Sequence, residues 1–316
     1  MTDTENPHTS PVSPSLYSQL DDLIGYRFHV KQKKMTHQNG LVSSGSGGHQ
    51  ALRKGRGMIF SEVRPYQAGD DIRHIDWRVT ARTQKTHTKV FIEEHERPTL
   101  LITEQTSALF FGTKTRLKTA QALNITAILS WVALAQNERV GGLTFNDTQH
   151  AWVAPKRSTQ TLLHHLQQSI SLQQHLTQPK KANPTHWQAT LKQLTRVIKP
   201  GSKVFLVGDM MQLTQESFAY IQKLAKHNDM VAIHIYDSLE KSLPNQGWLS
   251  MTLSLASGSL FKINSGRATT REAYAQLYET QWQTAKERFT ALKLPLIEIG
   301  CHQDPIASLL AHKVIR

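Results

Sequence analysis

The stretch TLLITEQTSALFFGTKTRLKTAQALNITAILSWVALAQNERVGGLTF, residues 99–145, decides the fold. It opens with a short apolar run at residues 99–103, which has the length and the β-branched content typical of a buried strand. A long apolar segment with helical spacing follows at residues 117–136, and a second strand-like run follows at residues 139–145. This order of strand, helix and strand predicts a parallel pair of strands joined by a crossover helix.

The same alternation continues to the C-terminus and predicts the fold class. Further strands are expected at residues 149–153, 203–207, 230–236 and 296–299, and a separate hairpin at residues 247–253 and 259–263. Helices are expected at residues 159–170, 187–198, 218–227 and 270–293, and from Pro305 onward. The strands at residues 139–145 and 149–153 lie close enough to form a hairpin, so one strand should be antiparallel. We therefore expect an α/β domain over residues 98–316, with a doubly wound, mostly parallel six-stranded sheet.

The residues before this domain have a different character. Residues 1–13 are rich in Pro, Ser and Thr and predict a mobile tail, and residues 15–26 have the apolar spacing of a short helix. Residues 27–48 are basic and then rich in Gly and Ser, which is typical of a flexible loop or a backbone anion nest. The segments FSEVRPY, IDWRVTA and THTKVFIEE, separated by the turn AGDD, predict two or three antiparallel strands. Residues 14–97 should thus form a helix and a small, basic, β-rich segment.

Composition limits the partners and the compartment. A formal net charge of +13 and a pI near 9.8 favour anionic partners, such as nucleic acid, anionic lipid or an acidic protein face. The longest apolar stretch, residues 125–135, is about half of the ~20 residues that a membrane-spanning helix needs. The single cysteine, Cys301, leaves nothing for an intrachain disulfide, and the start of the chain does not resemble a secretion signal. We expect a cytoplasmic protein without a membrane span.

Catalytic motifs are missing from the sequence. There is no GK[ST] phosphate-binding loop, no HExxH and no CxxC. Cys301 and His302 are neighbours on an expected strand and point to opposite faces, so an inert buried cysteine is expected. Asp237 and Glu240 follow another strand, where capping explains them better than acid–base chemistry. We therefore predict that the protein is not an enzyme and needs no cofactor.

Residues 56–94, RGMIFSEVRPYQAGDDIRHIDWRVTARTQKTHTKVFIEE, closely resemble the signature of the family catalogued as domain of unknown function 58, DUF58. Matching features continue in EQTSALFFGT, RVGGLTF, VFLVGDM and YDSLEKSLP, at residues 104–113, 139–145, 204–210 and 236–244. The resemblance implies a von Willebrand factor A-like domain after the signature. It also implies a partner, a MoxR-type AAA+ ATPase, and an adaptor role in the assembly or remodelling of protein complexes.

The resemblance further implies a degenerate metal-ion-dependent adhesion site. In metal-binding relatives of the wider fold, a DxSxS loop after the first strand supplies a carboxylate and two hydroxyls to Mg²⁺, which prefers oxygen ligands. The matching positions here are Glu104, Thr106 and Ala108, and Ala108 has no ligand atom. Asp209 matches the second carboxylate, and Thr159 is a candidate for the distant hydroxyl. If any ion is bound, Thr106 and Asp209 are its expected ligands.

Charged residues of the signature form a second candidate site. They comprise Glu62, Arg64, Asp70, Asp71, Arg73, Asp76, Arg78 and Arg82, beside Trp77. They could pair with one another to hold the strands, or they could bind an acidic partner, and in the second case Arg73 and Arg82 are the first candidates. Trp77 is expected to be a core anchor.

Three functional hypotheses follow. The leading one is a non-enzymatic adaptor whose strand-end face, around residues 104–108 and Asp209, docks a protein partner. The second is a nucleic-acid-binding protein that uses the basic residues 27–34. The third is a metal-dependent hydrolase, which requires a bound ion.

Overall fold

The computed structural model describes residues 17–36, 58–93, 97–177, 183–252 and 260–316. The expected mobile tail and the Gly/Ser-rich loop lie outside these ranges. The first described element is helix α1, Leu20–His29. The chain divides into two compact units, a small one of residues 42–96 and a larger one that holds α1 and everything from residue 97 onward.

The small unit is built on one antiparallel pair of strands. Strand β1, Met58–Pro65, pairs with β2, His87–Glu93, which confirms the expected antiparallel segment. The chain between them turns at Gly69, whose φ of 107° suits glycine, and then forms helix α2, Trp77–Thr83. The prediction of a strand at IDWRVTA is wrong. The Asp76 side chain accepts hydrogen bonds from the backbone N–H groups of Arg78 and Val79, so it caps and starts a helix instead.

The larger unit is centred on the predicted six-stranded sheet. Its strands are β3 (Thr99–Glu104), β4 (Val140–Phe145), β5 (His150–Lys156), β6 (Lys203–Gly208), β7 (Asp229–Tyr236) and β10 (Leu296–Gly300). Strands β8 (Trp248–Thr252) and β9 (Leu260–Asn264) form a separate hairpin between β7 and β10 in the chain. The order in the sheet is β10-β7-β6-β3-β4-β5. β5 runs antiparallel to β4 and the other neighbours are parallel, so the prediction of one antiparallel strand is confirmed. The hairpin of β8 and β9 is also confirmed.

Helices cover both faces of the sheet. They are α3 (Lys118–Ala135), α4 (Thr159–Gln174), α5 (Thr185–Val197), α6 (Gln215–Ala225), α7 (Ser238–Lys241), α8 (Ala268–Ala291) and α9 (Pro305–Ala311). Along β3 the side chains alternate: Leu101 packs in the core layer of α1, α3, α4 and α9, and Leu100 and Ile102 pack in the layer of α5, α6 and α8. Burial on both faces explains why the central strands are continuous apolar runs.

Helix α1 packs in the larger unit, although the sequence placed it in the N-terminal segment. Leu23 is fully buried, and its carbonyl oxygen accepts a hydrogen bond of 2.9 Å from the indole N–H of Trp131 on α3. Beyond the helix, Met35 forms an antiparallel bridge with Ile315. Both of these side chains are buried, so the two ends of this unit meet in one core layer.

Candidate functional site

Polar residues gather at the carboxyl edge of the sheet, where ligands of open α/β sheets bind. β3 ends at Glu104, and Asp209 and Asp237 follow β6 and β7 directly. Lys118, the first residue of α3, joins them from the helix layer. Because these strands are parallel neighbours in the sheet, the residues after them lie side by side.

Glu104 is buried and its carboxylate accepts three hydrogen bonds. Oε2 accepts the indole N–H of Trp187 and the backbone N–H of Asp209, both at 2.8 Å. Oε1 accepts the hydroxyl of Thr106 at 2.6 Å. Burial raises the pKa of Glu104 to about 7, and the negative charge of Asp209 adds to the increase. This carboxyl group therefore acts as a structural acceptor with both oxygens in use.

Gly208 in the VFLVGDM stretch is required by this packing. A Cβ atom there would lie 2.4 Å from Oε2 of Glu104 and 2.9 Å from Cζ2 of Trp187. A larger residue would therefore displace the carboxylate or the indole ring. The glycine allows the tip of β6 to approach Glu104 closely.

Lys118 lies buried between two carboxylates. Its Nζ is 2.8 and 3.1 Å from the two carboxylate oxygens of Glu240, and 3.6 Å from Oδ2 of Asp209. Burial alone would lower the pKa of Lys118, but Glu240 and then Asp209 raise it above its usual value, so the ammonium keeps its charge. Lys118 is not predicted from the sequence, because a cation in the first turn of a helix opposes the helix dipole and is expected at the surface.

Asp209 also holds the short turn that follows β6. Its carboxylate accepts the backbone N–H of Met211 at 3.1 Å and the side-chain amide of Gln212 at 2.8 Å. Burial would raise the pKa of Asp209, but the Lys118 ammonium outweighs it, and the pKa lies below its usual value. At neutral pH His234 is uncharged, because burial lowers its pKa to about 4, and its Nδ1 accepts the backbone N–H of Met210.

Asp237 is a capping residue, as expected. Its side chain accepts the backbone N–H of Leu239, and Glu240 accepts the backbone N–H of Asp237, which completes a capping box on α7. Asp237 also accepts the hydroxyl of Thr113 at 2.6 Å and the thiol of Cys301 at 2.9 Å. Burial and the neighbouring Asp237 raise the pKa of Cys301, which keeps this buried thiol protonated and unreactive.

The structure brings together some of the predicted site residues and separates others. Thr106 and Asp209 both contact Glu104, whereas Ala108 is half-buried in the loop beyond them. Thr159 lies at the opposite edge of the sheet. Strand β5 runs antiparallel to β4 and therefore ends at the amino edge, and helix α4 begins there with Thr159. Thr159 is therefore wrong as a partner for this site.

The predicted contact surface around residues 104–108 and Asp209 is largely buried. Glu104, Thr106 and Asp209 are all buried within the chain, at 1, 3 and 8% exposure. Their side chains are engaged internally and do not present a face to a partner. Only Ala108 of the predicted loop is partly accessible.

The residues present do not fit a Mg²⁺ ion. Mg²⁺ requires near-octahedral oxygen coordination, but Asp209 and Glu240 share an ammonium, Glu104 accepts three hydrogen bonds, and Ala108 offers no oxygen ligand. Among the residues that the structure describes, no group of three or more His, Cys, Asp or Glu side chains is arranged to hold a metal ion. The Lys118 ammonium already supplies the positive charge that a metal ion would bring to Asp209 and Glu240.

A small cleft opens nearby at the ends of β3 and β4. Its lining comprises Ser107, Asn146, Asp147, Thr148, His175, Leu176 and Thr177. The hydroxyl of Ser107 is buried and has no hydrogen-bond partner among the described residues, and the Asp147 carboxylate accepts the backbone N–H of Ser107 at 3.1 Å. Thr177, which follows the C-terminus of α4, therefore lies at the carboxyl edge of the sheet. Thr159 lies at the other end of this helix.

The signature residues of the small unit are partly paired. Arg64 forms a 2.7 Å ion pair with Asp70, which is one pair of the expected network, whereas the cation 3.6 Å from Asp76 is Lys89, which lies outside the predicted set. Trp77 is 70% exposed, and the prediction that it anchors the core is wrong. It is the first residue of α2, and the cap on Asp76 directs the chain there into a helix rather than into the expected strand.

The fold and this edge define the class of protein: a doubly wound α/β domain whose strand-end polar groups bind one another. Residues 62–284 match the family described as protein of unknown function DUF58, and the chain belongs to this family. Three relatives are an uncharacterized protein of Mycobacterium bovis, Mb1516, and two of Mycobacterium tuberculosis, MT1527 and Rv1480. Each is 23% identical over 84% of this chain and 81% of its own length.

Two solved structures resemble this chain. One is the conserved hypothetical protein BatB from Bacteroides thetaiotaomicron, at 10% identity and a TM-score of 0.40, over 69% of this chain and 96% of that one. The other is an aerotolerance-related membrane protein from Bacteroides fragilis, at 12% identity and a TM-score of 0.40, over 69% and 98%. Within the described residues of the present chain, none of the helices has the length and apolar character needed to cross a membrane.

Proposed function

We propose that this protein is a non-enzymatic adaptor with a von Willebrand factor A-like domain and a degenerate metal-ion-dependent adhesion site. It works in the cytoplasm with a MoxR-type AAA+ ATPase in the assembly or remodelling of protein complexes. One observation carries the non-catalytic part of the proposal: Lys118 pairs with Asp209 and Glu240 at the carboxyl edge, and the Glu104 carboxylate is occupied by hydrogen bonds from neighbouring groups. The same observation argues against a metal-dependent hydrolase, because the Lys118 ammonium already pairs with Asp209 and Glu240, which a metal ion would need as ligands.

The docking surface on this edge is the loop from Ala108 to Arg116, which covers the buried cluster. Leu109 anchors it in the core, and the backbone N–H and hydroxyl of Thr113 bind Asp237. The Arg116 guanidinium binds the carbonyl oxygen of Gln303. A loop held at several points presents its exposed residues without a large ordering cost, which favours protein binding.

A pair of charge reversals at the two edges of one sheet tests this proposal. Lys114 is exposed on the loop, whereas Lys156 is exposed at the end of β5, on the opposite edge. Tagged protein, purified from its native host, should retain the ATPase as wild type and as Lys156→Glu, and should lose most of it as Lys114→Glu. If the wild type retains no AAA+ ATPase, the assigned partner is wrong. If both variants retain it equally, this loop is not the docking surface.

A second candidate function, nucleic-acid binding, is favoured by a specific pairing of cations. Lys34 and Arg316 exchange both backbone hydrogen bonds, each at 2.9 Å, so they stand directly opposite each other. Met35 and Ile315 next to them point into the core, so Lys34 and Arg316 point outward together. Like charges placed directly opposite destabilise a strand pair, and an anionic partner would relieve the repulsion.

Salt-dependent binding to labelled DNA tests the second candidate. Duplex and single-stranded probes should bind at low salt, and the affinity should fall steeply as the salt concentration rises. Lys34→Glu should weaken binding, whereas Lys192→Glu, an exposed lysine on α5, should not. Absence of binding by the wild type at low salt would eliminate this function.

A further inference from the structure

The small unit carries an exposed apolar and basic surface, here termed the α2 patch. It comprises Ile72, Arg73, Trp77, Arg78 and Arg82. Ile72 is 68% exposed and Trp77 is 70% exposed. Two large apolar side chains this exposed within six residues are typical of a binding surface. Aromatic and arginine side chains also supply most of the binding energy in protein interfaces, and this surface contains both.

The acidic residues of the same segment build the local fold. Asp70 accepts the backbone N–H of Gln67 as well as its ion pair with Arg64. Asp76 caps α2 and lies beside Lys89. These contacts hold the pKa values of Asp70 and Asp76 below their usual range, mainly through hydrogen bonds from backbone N–H groups, so both carboxylates stay ionised and engaged.

The arginines of the patch have no such partners. None of Arg73, Arg78 and Arg82 forms an ion pair with another residue in the described ranges. All three are exposed. The described part of the signature segment therefore divides its charges: Asp70 and Asp76 hold the turns, whereas Arg73, Arg78 and Arg82 are exposed and form no ion pair there.

Contacts with β2 determine which side of α2 faces outward. The backbone N–H of Asp76 bonds to the carbonyl oxygen of His87, and the backbone N–H of His87 bonds to the hydroxyl of Thr80. The side that carries Asp76 and Thr80 therefore lies against β2. Arg78 and Arg82 are four residues apart and lie on one exposed face of the helix, with Trp77 beside them.

We propose that the α2 patch binds an acidic segment of a partner protein that also carries apolar side chains. Trp77 and Ile72 take the apolar side chains, and the arginines take the carboxylates through charge-assisted hydrogen bonds. A protein segment fits better than a nucleic acid, because the exposed aliphatic side chain of Ile72 matches apolar side chains, which a sugar–phosphate backbone does not offer. The proposal deepens the adaptor function and rests on it, since it names the chemistry of the partner.

Fluorescence anisotropy with defined peptides and the full chain tests the patch. The probes are labelled peptides of about twelve residues that alternate Glu and Leu, Glu and Ser, or Lys and Leu, and an oligothymidine of similar length. The Glu/Leu peptide should bind best, because only it offers both chemistries. Trp77→Ala and the double variant Arg73→Glu/Arg82→Glu should each weaken its binding by about tenfold or more.

Two matched controls belong to the same titration. Trp248 on β8 is 68% exposed, so Trp248→Ala removes an equally exposed indole elsewhere in the chain. Arg196→Glu reverses an exposed arginine on α5. Neither should change the affinity for the Glu/Leu peptide, and circular dichroism of each variant checks that the chain still folds.

The outcomes separate this proposal from the function on which it rests. Equal affinity for the Glu/Leu and Glu/Ser peptides, or an equal loss with Trp248→Ala, would refute the patch. Oligothymidine binding that exceeds peptide binding and falls with Trp77→Ala would make the patch a nucleic-acid surface instead. If the ATPase still co-purifies with Arg73→Glu/Arg82→Glu, the patch is not its docking site, although the adaptor function stands. If the peptide results hold and no ATPase co-purifies with the wild type, the patch stands and the assigned partner falls.

Discussion

The ammonium of Lys118 lies 2.8 Å from Oε1 of Glu240, a residue 122 positions later in the chain. This pair connects the start of α3 to α7 across the carboxyl edge of the sheet. The Lys118 side chain is only 1% exposed, whereas that of Glu240 is 30% exposed. Removal of Glu240 leaves a buried ammonium, whereas removal of Lys118 leaves a carboxylate that is partly exposed. Substitutions of the two residues should therefore differ in their effect on stability.

Lys118→Met should destabilise the protein by roughly 3–5 kcal/mol, because it leaves Asp209 and Glu240 without their buried cation. Methionine keeps the length of the side chain, so a cavity contributes little. Urea denaturation measures the change. Lys286→Met is the control, since Lys286 pairs with Glu279 on the surface at 3.5 Å and should cost less than about 1 kcal/mol.

The double variant Lys118→Met/Glu240→Gln should be more stable than the sum of the two single changes predicts. Once the ammonium is gone, Glu240→Gln removes one of the two unpaired charges. Purely additive effects in the same denaturation experiment would show that the two residues do not act as a buried pair.

Millimolar Mg²⁺ should leave the melting temperature of the wild type unchanged, because the Lys118 charge repels a second cation from the same carboxylates. In Lys118→Met the carboxylates are unbalanced, and Mg²⁺ or Mn²⁺ should raise the melting temperature by mass action. Differential scanning calorimetry with and without a chelator makes the comparison. A Mg²⁺-dependent increase in the wild type would mean that the site accepts a metal after all.

The main features of the sheet could be predicted from the sequence, because buried parallel strands are short continuous apolar runs, such as that of residues 203–207. Lys118 could not be assigned to the site, since its counter-charges at Asp209 and Glu240 are far away in sequence. Thr159 could not be placed from the sequence, because the edge of the sheet on which a helix starts depends on strand direction, which has no local sequence signal. The exposure of Trp77 could not be predicted either, because the helix cap at Asp76 overrides the β propensity of the neighbouring residues.

Glu104→Gln should remove a specific pH dependence of stability. The unfolded carboxyl group has its ordinary pKa of 4.5, and the folded one has a pKa of about 7. Between these values the folded chain keeps a proton that the unfolded chain has released, so the contribution of Glu104 to stability falls as pH rises through this window and then levels off. Glutamine mimics the protonated acid, because its amide N–H₂ can donate to the hydroxyl of Thr106 and its oxygen can accept from Trp187.

The measurement is the difference in unfolding free energy between Glu104→Gln and wild type at a series of pH values. The difference should grow in favour of Gln between pH 4.5 and about 7, by on the order of 1–3 kcal/mol, and should be flat on either side. Burial lowers the pKa values of His165 and His234 to about 4. Because both proteins contain these histidines, their titration cancels when the two unfolding free energies are subtracted. A flat difference for Glu104→Gln across this range would mean that burial does not raise the pKa of Glu104.

Two substitutions on α1 should separate its structural face from its exposed face. Leu23 is fully buried against α3, whereas Phe28 is 76% exposed on the same helix. Leu23→Ala should cost roughly 2–5 kcal/mol, since it removes core contacts and leaves a cavity, and Phe28→Ala should change stability by less than about 0.5 kcal/mol. Urea denaturation of the full chain compares them. Because Leu23 packs in the same core layer as β3 and β6, both variants should keep a single unfolding transition for the α/β unit, and a separate early transition in Leu23→Ala would show that α1 folds independently of the sheet.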